Sequence, residues 1–487
     1  MRTGRGLMAG LWIVLAGPTG PAELAGQDTP VQGRWEGAIL VLGSELGIGV
    51  QFVKDADAWS ATIDIPQQGA MGLPLRNVTV ELPRVHFELM GGPGLAVFDG
   101  ALTGDSIAGT FIQSGVEGTF HLARGGTAGE TEPASAIDTV TAYREEEVTF
   151  TNGDVTLAGT LTLPSAPGPH PAVVLITGSG PQDRDEQVFG MRPFRLIADH
   201  LARDGVAVLR YDDRGVGGST GNVQLATSED FAADALAGVA LLRNRSDIRS
   251  DQIGLIGHSE GAIVAPIASV KSPDVALLVL LAGTAVTGSE ILLAQGELIA
   301  RAGGASDDDV ATQRRLQEMI FAAVRADTGW DTLQAEIERQ LRAGIDDLPA
   351  EQRAAITDLD SFVKTRAQQQ VVGVRSPWFR YFLDYDPKRD LRRVAVPVLA
   401  VFAEKDLQVP PSVNLAPMRE ALSEAPTDDV TIEVIPGANH LFQAATTGSP
   451  DEYASLPKEF VPGFMELVSG WIRERTGGTG PTGTTPD

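Results

Sequence analysis

One short stretch constrains the fold of this chain more than any other. The apolar run 253–256 leads directly into Gly-His-Ser-Glu-Gly at residues 257–261, and a helix-compatible segment follows. A serine between two glycines at a strand-to-helix turn is the pattern of a nucleophile elbow. Because that turn is sharp and strained, we expect a side chain at Gly257 or Gly261 to collide with a neighbouring strand or helix. The pattern predicts an exposed Ser259 hydroxyl in front of a helix N-terminus, whose free N–H groups favour a developing oxyanion.

Strand and helix patterns alternate around this turn. The predicted strands are 148–151, 155–163, 172–176, 206–210, 253–256, 275–282, 396–402 and 430–435. The first two resemble an antiparallel pair, and the alternation of the others with helices predicts a parallel sheet with right-handed crossovers. The alternation stops at about residues 289–388, where helical patterns predict an inserted cap. We therefore expect an α/β domain over residues 140–475.

A different pattern precedes this domain. Residues 29–124 contain eight short β-rich runs separated by turns rich in Gly, Pro and Asp. Such regular spacing predicts a small all-β domain, a barrel or a sandwich. The segment 33–37 resembles, over a short length, the Gly-x-Trp start of lipocalin-like barrels. Residues 125–139 have the composition of a linker, and residues 476–487 that of a disordered tail.

The composition and the first residues limit the kinds of binding partner and the cellular compartment that we expect. The net charge is −26 over 487 residues, which argues against nucleic acid and anionic membrane surfaces as partners. There is no cysteine, which excludes disulfides, thiolate metal sites and cysteine nucleophiles. Residues 1–25 resemble a signal peptide, with Arg2 and Arg5 before the apolar run 7–16, so we expect a secreted or periplasmic protein. No later stretch has the length and hydropathy of a transmembrane helix.

A serine nucleophile needs a base, and the base needs an orienting acid. Of the six histidines, His440 closely follows the last predicted strand, where a sheet of this kind gathers its functional loops. The acid should follow the strand after the cap, which offers Glu404 and Asp406. We prefer Asp406, because Glu404 still follows the direction of the strand whereas Asp406 lies in the loop beyond. The chain order is then Ser259, Asp406, His440, as expected for this fold.

Two backbone N–H groups are needed to hold an oxyanion. One is the amide of Glu260, directly after the nucleophile. The other should come from the Gly-rich loop 177–181 after the first buried strand, with Ser179 as the first choice and Gly180 as the second. We interpret the loop containing Asp213 as a support beside the elbow rather than a phosphate site, because its Gly-x-Gly lacks the third glycine of a dinucleotide-binding motif.

These motifs resemble those of the α/β-hydrolase superfamily over about residues 145–475. They are Gly-His-Ser-Glu-Gly, Asp-x-Arg-Gly-x-Gly-x-Ser at 212–219, Glu-Lys-Asp at 404–406 and Gly-x-x-His at 437–440. More narrowly, the chain is similar to bacterial esterases of the serine aminopeptidase-like branch, although Thr177 stands where their oxyanion loop begins with His. In that branch the acyl pocket lies between sheet and cap, so the aromatic segment 376–382 either lines it or only anchors the cap.

The resemblance implies a serine hydrolase that cleaves esters of short acyl chains, with a small-molecule ester as substrate and with no metal or cofactor. A peptidase with the same triad stays open, although we identify no anchor for a peptide terminus. A carbohydrate- or lipid-binding protein with an inactive hydrolase domain is a further alternative, against which the complete triad argues. The sequence indicates neither the oligomeric state nor the role of the all-β domain.

Overall fold

The computed structural model describes residues 31–41, 44–55, 58–65, 70–91, 94–113, 116–124, 142–346, 353, 356 and 358–477. The predicted signal peptide, the predicted linker and nearly all of the predicted tail lie outside these residues. The chain divides into two compact units. One comprises Met1–Thr139 and Ala322–Arg375, and the other comprises Val140–Phe321 and Ser376–Asp487.

The first unit contains a closed antiparallel barrel of eight strands. Each strand pairs with the next along the chain, and the first also pairs with the eighth. The strands are β1 (Gly33–Val41), β2 (Ser44–Asp55), β3 (Ala58–Ile65), β4 (Ala70–Glu81), β5 (Arg84–Gly91), β6 (Gly94–Thr103), β7 (Ser106–Gln113) and β8 (Val116–Arg124). The expected all-β barrel is confirmed, because alternating short strands with tight turns can close a sheet onto itself.

Aromatic and aliphatic side chains fill the barrel. Phe87 stacks on Phe98 with ring centroids 4.6 Å apart, and both rings meet Phe120 edge to face. Trp35 is fully buried, and its indole N–H donates to the carbonyl of Val31 at 2.8 Å. The interior is thus a packed hydrophobic core of the kind that small barrels have.

The second unit is built on an eight-stranded sheet in the order β16-β15-β14-β13-β11-β12-β10-β9. Its strands are β9 (Tyr143–Asn152), β10 (Val155–Pro164), β11 (His170–Ile176), β12 (Ala207–Tyr211), β13 (Ile248–His258), β14 (Leu277–Leu281), β15 (Val398–Ala403) and β16 (Val430–Ile435). β9 and β10 pair antiparallel, β10 joins β12 antiparallel, and the remaining neighbours are parallel. This arrangement confirms the expected sheet.

Helices pack on both faces of that sheet. The second unit contains α1 (Pro193–Arg203), α2 (Ser228–Arg243), α3 (Gly261–Lys271), α4 (Gly288–Ala302) and most of α5 (Asp307–Ala326). The next two helices, α6 (Trp330–Asp346) and α7 (Leu359–Val374), belong to the first unit. The second unit then continues with α8 (Pro377–Asp384), α9 (Lys388–Leu391), α10 (Pro411–Ser423) and α11 (Phe464–Thr476). The sheet's two faces form separate apolar clusters, one with α2 and α3 and the other with α1 and α11. No helix in the described part of the chain is long and apolar enough to cross a membrane.

The helices of the insertion are divided between the two units. Helices α6 and α7 belong to the first unit, together with the barrel, whereas α4, α8 and α9 belong to the second. In the first unit Val41 of the barrel packs against the helical cluster that contains Ile345, Phe362 and Val363. A cap predicted as one segment at 289–388 is therefore divided between the two units.

Candidate active site

The serine turn has the strained geometry that its glycines indicate. Ser259 lies between β13 and α3 with a φ of 54°, in the left-handed region that non-glycine residues rarely adopt. A Cβ at Gly257 would overlap the backbone oxygen of Gly261, and a Cβ at Gly261 would overlap that of Ile176 in β11. The expected collisions are confirmed, and they explain why both flanking positions are glycine. Ser259 itself is half-buried, at the carboxyl end of the central strand.

His440 and Asp406 meet directly. The Nδ1 atom of His440 lies 2.7 Å from Asp406 Oδ2, and the two side chains are 6% and 0% exposed. The other carboxylate oxygen of Asp406 accepts the amides of Gln408 and Val409 at 2.7 and 2.8 Å, which fixes the carboxylate. With Nδ1 donating to a carboxylate, the Nε2 atom of His440 is left as the acceptor.

Glu404, the alternative acid, has a different partner. Its Oε2 atom accepts the amide of Gly437 at 2.7 Å, at the start of the loop that carries His440, and its side chain is exposed. The geometry thus pairs the imidazole with Asp406 and uses Glu404 to hold the turn. Glu404 directly follows β15, and Asp406 lies in the loop beyond it.

The loop of His440 is held by a buried amide that the sequence analysis missed. Asn439 is fully buried, and its Oδ1 atom accepts the amides of Leu441 and Gln443 at 3.0 and 2.9 Å. The side chain of Gln443 in turn donates to the carbonyl of Pro457 at 2.8 Å. Asn immediately before the histidine, in a segment rich in Gly and Ala, was the available signal, because Asn commonly caps such turns.

No direct hydrogen bond joins Ser259 and His440 in the described residues. The connection runs through His258, which precedes the serine. Its ring centroid lies 4.8 Å from that of His440, and its Nε2 atom lies 3.0 Å from the carbonyl oxygen of His440.

The Gly-rich loop reaches the serine through Gly178. A Cβ on Gly178 would stand 3.2 Å from the Cβ of Ser259, so no larger residue fits without movement. The amide of Gly178 already donates to Glu186 Oε1 at 2.7 Å. The next amide, that of Ser179, and the amide of Glu260 donate to no acceptor in the part of the chain that the structure describes. Both expected oxyanion donors are thus free.

Asp213 supports this loop, as the sequence analysis interpreted it. Its carboxylate accepts the hydroxyl of Thr177 at 2.8 Å and the amide of Gln182 at 2.9 Å. Burial raises the pKa of Asp213 well above its ordinary value, and the two donors offset only part of that rise. Thr177 therefore ties the loop to the carboxyl end of β12.

The side chain of Glu260 is buried in the protein. Its carboxylate accepts the hydroxyl of Ser228 at 2.7 Å and the indole N–H of Trp378 at 2.8 and 2.9 Å. Burial raises the pKa of Glu260, and both hydrogen bonds lower it. The Trp378 ring stacks on Phe382 of the same helix, α8, with centroids 5.2 Å apart. The aromatic segment is thus attached to the residue directly after the serine.

The remaining histidines lie away from this constellation. His170 begins β11, at the amino end of the sheet, opposite the elbow. His200 lies in α1, and His86 and His121 lie in strands of the barrel. Within the described ranges, no three His, Asp or Glu side chains are grouped so that they could hold a metal ion.

Comparisons with known proteins agree with this architecture. Residues 173–456 match the model of the alpha/beta hydrolase family. Over 313 residues the chain is 27% identical to Esterase EstD of Thermotoga maritima, a match that covers 64% of this chain and 63% of that protein, which is less than two thirds of its length.

Solved structures are more distant. An esterase of Pyrococcus furiosus is 17% identical with a TM-score of 0.42, covering 69% of this chain and 92% of that one. A proline iminopeptidase of Mycobacterium smegmatis is 19% identical with a TM-score of 0.40, covering 68% and 99%. Likenesses at this level do not discriminate between an esterase and a peptidase.

Proposed function

Because the chain belongs to the alpha/beta hydrolase family, we propose that it is a serine hydrolase that cleaves carboxylic esters of short acyl chains. Ser259 is the nucleophile, His440 the general base and acid, and Asp406 the residue that orients the imidazole. The observation that carries the proposal is the 2.7 Å hydrogen bond between His440 and Asp406 beside the strained turn of Ser259. The 27% identity to Esterase EstD supports an ester as the bond that is cleaved.

The reaction follows from these positions. The Ser259 hydroxyl attacks the ester carbonyl carbon while its proton passes to His440 Nε2. The carbonyl oxygen becomes an oxyanion, which accepts the free amides of Ser179 and Glu260. Collapse of this intermediate breaks the bond to the alcohol, which takes the proton from His440 as it leaves. A water molecule, deprotonated by His440, then cleaves the acyl-enzyme and restores Ser259.

Asp406 contributes by restricting the imidazole. It accepts a hydrogen bond from the Nδ1–H of His440, which keeps Nε2 free to receive the serine proton, and it stabilises the imidazolium that forms. Because its second oxygen is held by two backbone amides, the carboxylate cannot rotate away without losing both hydrogen bonds. This is the preorganisation that a general base requires.

The preference for short acyl chains rests on the aromatic segment. Trp378 is bound to Glu260, one residue from the nucleophile, and it stacks on Phe382. Two large rings anchored so close to Ser259 leave less room for a long acyl chain than small side chains would. They also supply the apolar surface that a short chain needs.

Two measurements test the proposal. A fluorophosphonate probe should label wild-type protein but not Ser259→Ala, because only an activated serine reacts. Paired rates on p-nitrophenyl butyrate and on aminoacyl-p-nitroanilides should favour the ester, and p-nitrophenyl palmitate should be a poorer substrate than the butyrate. A higher kcat/KM on the anilides would make the protein a peptidase. Absence of both labelling and ester hydrolysis would rule out a serine hydrolase.

A further inference from the structure

A second histidine–carboxylate pair lies directly beneath the site. His258 Nδ1 lies 2.9 Å from Glu186 Oε1, and the two side chains are 8% and 2% exposed. The surrounding walls include the apolar side chains of Phe194, Leu281 and Phe442. Burying two ionisable groups is costly unless they are paired, so a pair at this position needs an explanation.

Hydrogen bonding determines the protonation of this pair. His258 Nε2 faces the carbonyl oxygen of His440, which can only accept, so Nε2 carries a proton. Glu186 Oε1 already accepts the amide of Gly178 at 2.7 Å. If Glu186 is ionised, Nδ1 must donate as well, and His258 is an imidazolium. Burial lowers the pKa of His258, but the charge and the hydrogen bond of Glu186 outweigh it, so that the pKa is raised overall.

The pair connects the two loops that carry the proposed oxyanion donor Ser179 and the proposed base His440. Through Oε1, Glu186 holds Gly178, which abuts Ser259 and precedes Ser179, the proposed oxyanion donor. Through Nε2, His258 holds the main chain of His440. Together the two side chains tie the oxyanion loop to the histidine loop.

The backbone supports a specific role for Glu186. Its φ is 52°, in the left-handed region that non-glycine residues rarely adopt. The Glu186 amide donates to the carbonyl of Asp183 at 2.9 Å, which holds the residue in this conformation. A strained backbone conformation persists only where several surrounding contacts hold it, and such residues are concentrated at functional sites.

We propose that the Glu186–His258 pair is a positioning element that holds the oxyanion loop and the His440 loop in register with Ser259. This inference rests on the proposed function, since it assigns the pair to the same reaction. Neither residue touches the reacting atoms. Both act on groups that must be aligned in the transition state, so their loss should lower kcat and leave KM nearly unchanged.

The charge of the pair supplies a readout that a purely structural role would not move. The ionisable groups that face His258 are Glu186, His440 and Asp406. Deprotonation of the imidazolium at high pH removes one of its two donated hydrogen bonds, so kcat should fall on the alkaline side. Glu186→Gln keeps the size but removes the charge that supports the imidazolium, so this alkaline limb should move to lower pH.

The experiment compares Glu186→Gln and His258→Gln with wild type on p-nitrophenyl butyrate from pH 5 to 10. We expect each variant to lose roughly 10²-fold in kcat with KM within about threefold, because a small misplacement of reacting groups has that effect. His200→Gln is the matched control, a histidine in α1 whose Nε2 atom lies 3.2 Å from a serine hydroxyl, and it should keep wild-type kcat and pH profile.

The possible results distinguish the positioning role of Glu186 and His258 from the proposed function of the protein. If a single variant does not fold, the double variant Glu186→Gln/His258→Gln, which buries no unpaired charge, carries the same test. Folded variants with kcat within twofold of wild type and an unmoved alkaline limb would overturn the positioning role. Wild-type protein that neither hydrolyses esters nor reacts with the fluorophosphonate probe would instead overturn the proposed function.

Discussion

The barrel interior and the carboxyl edge of the sheet bury opposite kinds of side chain. In the described barrel strands, the one buried charged or polar side chain is Asp64, which is paired with Arg34. At the carboxyl edge of the sheet, by contrast, His258, Glu260 and Asp406 are each less than a tenth exposed. Both regions are well packed, but buried groups that need hydrogen-bond or charge partners concentrate at the sheet edge.

This difference is informative because apolar burial stabilises by itself, whereas polar burial costs free energy unless each group is hydrogen-bonded. The side chains inside the barrel form a mainly apolar core. The sheet edge instead satisfies a network of carboxylates and imidazoles that contributes little net stability. We therefore expect substitutions at the edge to act on rate and substitutions in the barrel to act on folding.

The largest expected effect is that of Ser259→Ala. It should lower kcat on p-nitrophenyl butyrate by roughly 10⁴-fold or more, because the covalent route disappears. The free energy of unfolding should change little, since alanine fits the turn. Circular dichroism and urea unfolding provide the control. A variant that keeps more than a tenth of wild-type kcat would remove the serine from the mechanism.

The second-largest expected effect distinguishes the roles of the two carboxylates that follow β15. Asp406→Asn leaves His440 free to adopt the wrong tautomer, which should reduce kcat by roughly 10⁴-fold. Glu404→Gln loses only part of a hydrogen bond to Gly437, so kcat should fall less than about tenfold. Both variants are measured as purified, folded protein. The opposite ranking would assign the orienting role to Glu404.

Substitutions in the barrel should instead change the free energy of unfolding. Phe98→Ala removes a fully buried ring from the aromatic cluster and should cost about 3–5 kcal/mol in the free energy of unfolding. Leu95→Ala, at a side chain that is 39% exposed on the same strand, is the control and should cost less than about 1 kcal/mol. Urea unfolding measures both. A loss of kcat in folded Phe98→Ala protein would show that the barrel interior takes part in the chemistry.

Local patterns in the sequence predicted most of this architecture. The β-rich runs of the barrel, the parallel sheet and the turn at Ser259 all have short-range signatures, namely period-two alternation, continuous apolar strands and paired glycines. The pairing of His440 with Asp406 followed from chain order and loop position. In each case the pattern within a short segment indicates whether its residues lie in a strand, at a strand end or in a turn.

The rest depends on contacts between distant residues. Glu186 and His258 are 72 positions apart, and nothing in either segment indicates that they meet. Helical periodicity predicted a helical insertion but not that α6 and α7 pack in one unit with the barrel, since periodicity does not name a partner. The sequence from Phe460 to Arg475 predicts the last helix, because Pro462 is tolerated in a first turn. The structure begins this helix at Phe464, after the left-handed Gly463.

The smallest expected effect concerns Glu229, a charged group of the second unit outside the site. Burial opposes its ionisation, but Lys271, Arg389 and Tyr381 donate hydrogen bonds to it and lower its pKa to about 2 from 4.5. A depressed carboxylate pKa stabilises the fold above the unfolded pKa, and that stabilisation is lost as the pH falls through the folded value.

Since the Glu229 side chain is 32% exposed, solvent screening reduces the effect, and Glu229→Gln should cost about 1 kcal/mol at pH 7. Urea unfolding at a series of pH values should show that the difference from wild type shrinks between about pH 5 and pH 2, because wild type then loses the same charge. Glu297→Gln, which removes an exposed ion pair on α4, is the control and should cost less than about 0.5 kcal/mol. A Glu229→Gln difference that grows on acidification would mean that burial, rather than the three donors, dominates at this position, as it does for Glu260 at the sheet edge.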